Sequence, residues 1–146
     1  MTTIKDILKF KGNDVHAVPP TACIKDALQK MAEKGVGAVL VMDGYKVLGI
    51  FSERDYARSV ILKSKTELVP ITEVMTKDVY FVSPENTLEE SLAQMTDKRI
   101  RHLPVCENNR VVGVVSIGDL VKEMIDNQKD LIRSLENYIM GTGYNQ

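Results

Sequence analysis

Two short elements hold the residues best suited to chemistry in this chain: GIFSERD at 49–55 and GVVSIGD at 113–119. Both have the spacing Gly-x-x-Ser-x-x-Asp, through Gly49, Ser52 and Asp55 and through Gly113, Ser116 and Asp119. The glycine ends a strand where no side chain should obstruct a cleft. The serine then opens a helix, whose unpaired amides and positive dipole end favour an anion. The aspartate, one turn in, can accept hydrogen bonds from two vicinal hydroxyls, and a ribose diol is the obvious partner. Ser-x-x-Asp is equally an ordinary capping arrangement, with the acid stabilised by the helix start. On these residues alone both readings stand.

The two elements lie 64 positions apart, and that offset extends well beyond them. At this shift Val15–Ile61 falls on Val79–Ile125 without a gap, with twelve identities over 47 positions, among them Pro20/Pro84, Leu28/Leu92, Met31/Met95 and Val41/Val105. Average composition gives about three by chance. An ungapped repeat is one supersecondary unit used twice, burying its apolar faces against its copy. Two equivalent units create two equivalent clefts.

The elements that position these residues follow from periodicity. Val15–Val18 reads as a strand stopped by Pro19-Pro20. Ile24, Ala27, Leu28 and Met31 recur at helical spacing, matched by Leu88, Ser91, Leu92 and Met95. Thr87 with Glu90 is a capping-box signal for the second copy. Val36–Met42 and Lys46–Phe51 form a hairpin turning at Asp43-Gly44, and Glu107-Asn108-Asn109 turns its counterpart. A further helix starts near Ser52 and Ser116. Each unit reads β-α-β-β-α, and the pair is an α/β (α+β) sandwich of short sheets covered by helices. Residues 4–61 form the first repeat with its lead-in, 62–78 a linker, 79–125 the second repeat and 126–146 a helical tail. Ile71–Met75 resembles Ile4–Leu8, which makes the linker the lead-in of the second repeat. In the tail Leu131, Ile132, Leu135, Tyr138 and Ile139 share one helix face, with Gly141 as the stop.

A chain of 146 residues is long enough for one domain or two fused half-domains. A net charge of −1 gives no basic field for nucleic acid or anionic membrane, and aromatics are sparse, with no Trp. No apolar run reaches the roughly 18 residues of a bilayer span. The charged N-terminus MTTIKDILKFKGND lacks a secretory apolar stretch, and Cys23 and Cys106 have no metal-type spacing. The expectation is a cytoplasmic protein with buried thiols.

With GIFSERD, GVVSIGD, VMT at 74–76 and RIRHLPV at 99–105 recurring in order, the chain resembles a pair of CBS domains, the Bateman module, over roughly Ile4 to Ile125. The resemblance implies a pseudo-twofold tandem pair acting as a regulatory sensor. Its clefts between repeats take an adenosine-containing ligand, AMP first among AMP, ADP, ATP, NAD and S-adenosylmethionine. It also implies a flat homodimer and an unnamed downstream protein. Carried onto this sequence, it gives Asp55 and Asp119 ribose contacts beside Ser52 and Ser116. For the Asp119 cleft it gives Arg101, His102 and Lys11 as phosphate contacts, with Val15, His16, Val36 and Gly37 around the base. For the Asp55 cleft the candidates are Arg54, Arg58, Thr76 and Lys77 toward phosphate, and Val79, Tyr80, Ile100 and Arg101 toward adenine. Because Gly37 and Ala38 stand where the other copy has Arg101 and His102, the Asp119 cleft is expected to be the better monophosphate site.

Two other classes compete. An enzyme would need a paired base and nucleophile, a metal cluster or a P-loop, and none is identifiable from spacing. A purely structural dimerisation module would carry degenerate clefts and use the C-terminal helix for docking.

Overall fold

The computed structural model describes residues 1–143. In chain order the elements are α1 (Ile4–Lys11), β1 (Ala17–Val18), α2 (Ile24–Lys34), β2 (Ala38–Asp43), β3 (Lys46–Ser52), α3 (Glu53–Lys63), a single 3-10 turn (Ile71–Glu73), α4 (Leu88–Lys98), β4 (His102–Glu107), β5 (Arg110–Ser116) and α5 (Ile117–Gly143). The duplication is reproduced in the backbone. The hairpins β2–β3 and β4–β5 share one register, from Ala38↔Ser52 and His102↔Ser116, and each is bulged at the same step, Val41/Met42 and Val105/Cys106. Their turns differ. Asn108 and Asn109 both take positive φ (54° and 62°), as a type I′ turn requires, whereas Gly44 (φ 60°) is the residue with positive φ in the first hairpin.

The first strand is shorter than Val15–Val18 and survives only in one copy. Ala17–Val18 pairs in parallel with β2, and Leu40 N–H donates to the His16 carbonyl at 3.0 Å. The residue 64 positions after Leu40 is Pro104, which has no N–H to offer Tyr80. The second copy therefore keeps one parallel bridge, Val82↔Val105, and its sheet is reduced to β4 and β5. Similarly, Val36 and Gly37 stay outside the ladder, which begins at Ala38.

The cores lie one per repeat, and the lead-in segments cross over. Ile4, Ile7 and Leu8 of α1 pack with Val82, Leu88, Met95, Leu103, Val105, Val115 and Leu120 of the second repeat. Ile71 and Val74 pack with Val18, Ile24, Met31, Val39 and Phe51 of the first. Backbone bonds fix the exchange: Ile4 N–H to Asn86 O and Leu88 N–H to Thr2 O on one side, Ile71 N–H to Ala22 O and Ile24 N–H to Val69 O on the other. Sequence order had attached each lead-in to the repeat that follows it. Burial attaches it to the other repeat, and so ties the two halves together.

The tail is no separate helix. α5 runs unbroken from Ile117 through Gly141 to Gly143, and residues 144–146 of the expected tail lie outside the described residues. Leu131, Ile132, Leu135, Tyr138 and Ile139 are each more than half exposed along it. The expected capping box at Thr87 is half formed. Thr87 Oγ1 accepts from Glu90 N–H at 3.1 Å, while the Glu90 carboxylate turns to Asn86 Nδ2 at 2.7 Å.

Candidate functional site

Gly49, expected to end its strand, lies inside β3, which runs on to Ser52, and the helix that starts directly after it puts Asp55 at the seam between the repeats. Gly49 is required by packing, since a Cβ there would sit within 2.8 Å of the Thr76 carbonyl oxygen. Ser52 caps α3: its Oγ accepts from Asp55 N–H at 3.3 Å, and its own N–H donates to Asp55 Oδ2 at 2.9 Å. The other carboxylate oxygen, Oδ1, accepts from Thr76 Oγ1 at 2.9 Å. The capping reading of Ser-x-x-Asp is thus realised. It leaves acceptor capacity, because a carboxylate offers about four lone-pair sites.

Asp55 opens onto a cleft of about 150 Å³ that both repeats build. The first supplies Gly37, Ile50, Ser52, Glu53, Arg54 and Arg58; Thr76, Asp78, Val79, Tyr80, Ile100, Arg101, His102 and Pro104 face them. Its lining includes four arginines, Arg54, Arg58, Arg99 and Arg101, and three acids, Glu53, Asp55 and Asp78. Arg54 is braced across the seam by the Arg99 carbonyl, 3.0 Å from Nη1. Arg99 caps α4 in the left-handed region (φ 55°, ψ 46°), where the first repeat has Gly35. Lys98 lies over the Tyr80 ring, 5.1 Å from its centroid.

The cavity linings distribute the expected residues differently between the two clefts. Gly37 and His102, expected in the Asp119 cleft, and Arg101, expected in both, line the Asp55 cleft together with Arg54, Arg58, Thr76, Val79, Tyr80 and Ile100, while His102 still feels the charges of Lys11 and Asp119. Lys77 is not on its wall. Glu53, Asp78 and Arg99 were missed. Arg99 alone left a signal, as a long cation standing where the repeat has a helix-ending glycine. His102 is partly buried beside Glu53 and Gly37. Burial pushes its imidazole below the usual range and the Lys11 charge adds to this, outweighing the pull of Glu53 and Asp119.

The second cleft, about 120 Å³, is lined by Lys11, Gly12, Asp14, His16, Val36, Ala38, Val39, Leu40, Ile50 and Val114. Val15, Ser116 and Asp119 are not on its wall. Ser116 N–H donates to Asp119 Oδ2 at 2.8 Å, and Lys11 Nζ reaches the same oxygen at 2.5 Å. Burial pushes the Asp119 carboxyl up, but Lys11 and Ser116 together outweigh it and hold it below the ordinary carboxylate range.

The geometry has parallels in known proteins. The family model described as the CBS domain matches twice, over residues 4–61 and 71–126. The chain is 32% identical to the CBS domain-containing protein CBSX3, mitochondrial, of Arabidopsis thaliana, over 98% of this chain and 74% of that protein. A CBS-domain protein from Burkholderia ambifaria is 43% identical with a TM-score of 0.83, covering 87% of this chain and 96% of that one. The CBS domain protein PAE2072 from Pyrobaculum aerophilum, complexed with AMP, shares the fold at 23% identity and a TM-score of 0.72, covering 80% and 88%. With both halves matched and the duplicated architecture reproduced, the chain belongs to the CBS domain family, as a tandem pair of repeats.

Proposed function

We propose that this chain is a regulatory module that binds an adenosine nucleotide in the Asp55 cleft, with AMP as the preferred ligand and ATP or NAD as alternatives. One observation carries the reading: a cleft at the seam is lined both by a carboxylate held in place by Ser52 and Thr76 and by four arginines. A ribose hydroxyl donates to the remaining acceptor site of Asp55. The phosphate is met by some of Arg54, Arg58, Arg99 and Arg101, whose planar forks suit bidentate contact. Adenine lies in the apolar part of the cleft, against Val79, Tyr80 and Ile100. The AMP of the Pyrobaculum protein is a precedent within the same fold; the assignment here rests on this chain's own residues.

A ligand held by both repeats stabilises one relative arrangement of them, and differential affinity is all that a regulatory signal requires. The exposed apolar stripe of α5 suits a homodimer that passes this signal to a downstream protein. Free thiols at Cys23 and Cys106 fit a reducing, cytoplasmic setting. The test is calorimetry with AMP, ATP, NAD and S-adenosylmethionine on protein stripped of ligand by unfolding and refolding. Saturable AMP binding that is lost in Asp55→Ala supports the proposal, and no binding of any of the four refutes it. The same stripe favours a second reading, a dimerisation module with idle clefts. Under it Asp55→Ala changes nothing measurable while deletion of residues 127–146 changes the molecular mass in solution.

A further inference from the structure

The duplicated fold offers two acids, and the structure treats them differently. In the first repeat the chain leaves the 3-10 turn after Glu73 and bridges to β3: Thr76 N–H donates to Ile50 O at 2.8 Å and its hydroxyl to Asp55. In the other half the lead-in stays helical as far as Lys11, anchored by the buried side chains of Ile4, Ile7 and Leu8. Leu8 packs on Gly113, where a Cβ would come within 2.9 Å of its Cδ2. The Thr76–Ile50 bridge has no counterpart there among the described residues. Lys11 supplies both missing donors, its ammonium lying 2.5 Å from the Val114 carbonyl oxygen and 2.5 Å from Asp119 Oδ2. Val114 is the repeat equivalent of Ile50.

From this we infer that Lys11 closes the Asp119 cleft to ribosides, so that each chain binds one nucleotide, in the Asp55 cleft. A ribose diol presents hydroxyl donors and needs an acceptor. An ammonium has donors only. Lys11 stands on the cleft wall and Asp119 does not, so a riboside seated there meets an ammonium, paired at 2.5 Å with Asp119 Oδ2, ahead of the carboxylate. The second cleft keeps its shape but not its recognition group. Lys11 is then the residue that sets binding stoichiometry.

The inference rests on the proposed nucleotide function, and the probe is AMP followed by calorimetry. Wild-type protein is expected to bind one AMP per chain and Lys11→Met two, the added site binding about 10- to 100-fold tighter than in wild type. Asp55→Ala is expected to weaken its one site by at least about 10-fold, and the double variant Asp55→Ala with Lys11→Met to regain one site of the higher affinity. Two AMP per chain in wild type, or an unchanged single site in Lys11→Met, overturns the inference and leaves the Asp55 reading intact. If wild type binds no AMP the Asp55 reading fails; the inference survives that result only if Lys11→Met binds, and falls if it does not. Should Lys11→Met fold poorly, Lys11→Gln under the same titration decides, with the same two outcomes.

Discussion

Thr76 gives Asp55 a neutral hydroxyl at 2.9 Å, whereas Lys11 gives Asp119 an ammonium at 2.5 Å. Acids at equivalent positions of a repeat thus have partners of different charge. The cause is local: the N-terminal lead-in is an eight-residue helix and the internal one a three-residue turn.

Removing Asp55 separates its two roles. Asp55→Ala keeps the Ser52 cap of α3 but loses the carboxylate half of the capping box and the bond from Thr76, and is expected to cost about 1 kcal/mol in urea unfolding. It is also expected to weaken AMP binding by at least about 10-fold, the scale of one or two lost hydrogen bonds to a charged group. Asp119→Ala should cost a similar stability through the lost Ser116 N–H bond and Lys11 ion pair and leave the affinity for the first AMP within about twofold.

Arg99 holds a left-handed backbone that glycine occupies in the other repeat. A residue with a Cβ pays roughly 1–2 kcal/mol there, partly offset by the greater chain entropy of glycine. Arg99→Gly is therefore expected to unfold at equal or higher urea, by up to about 1 kcal/mol. AMP affinity falls in the same protein, because a guanidinium leaves the cleft wall. A loss of stability with unchanged affinity would contradict this account of the strain.

His102 and Asp119 act in different pH windows. The folded imidazole sits below 6.5 because it is buried near Lys11 and Arg101, with Glu53 and Asp119 opposing. The unfolded chain then takes up its proton first, so stability is full above about pH 6.5 and falls as pH drops through that value toward the lower folded one. His102→Asn is expected to flatten this arm of the stability profile. The Asp119 contribution has the opposite origin, a lowered acid pKa. It is present above 3.8 and disappears only as pH falls through the lower folded value. Urea midpoints from pH 3 to pH 8 on both variants resolve the two arms.

Deleting residues 127–146 removes Leu131, Ile132, Leu135, Tyr138 and Ile139 but leaves Leu120 and Met124, which pack on the second core. The truncated chain should keep its fold by circular dichroism and run as a smaller species by light scattering. An unchanged mass would show that the stripe contributes nothing to self-association.

What was legible in the sequence is what short-range chemistry dictates. Ser52/Asp55 and Ser116/Asp119 announced helix starts, and both formed with the expected hydrogen bonds. The hairpins and the Leu88–Lys98 helix followed from periodicity and turn residues. What was illegible depends on long-range packing. Nothing local says that Ile4 belongs to the core containing Leu120, because either repeat offers an apolar face of the same kind. The place of His102 on the Asp55 cleft was illegible for a related reason: its strand start lies at the seam, whose geometry only the packing of the two repeats decides. The shortened first strand of the second copy was readable in principle, since Pro104 lacks the donor that Leu40 uses.

The most direct test of the nucleotide reading is an AMP titration of nitrogen-15-labelled protein followed by amide chemical shifts. The account predicts saturable shifts centred on Ser52, Arg54, Asp55, Thr76, Tyr80 and Arg101, with Lys11, Gly12 and His16 little changed. Shifts centred on the Lys11 side, or no saturable shifts at all, would contradict it.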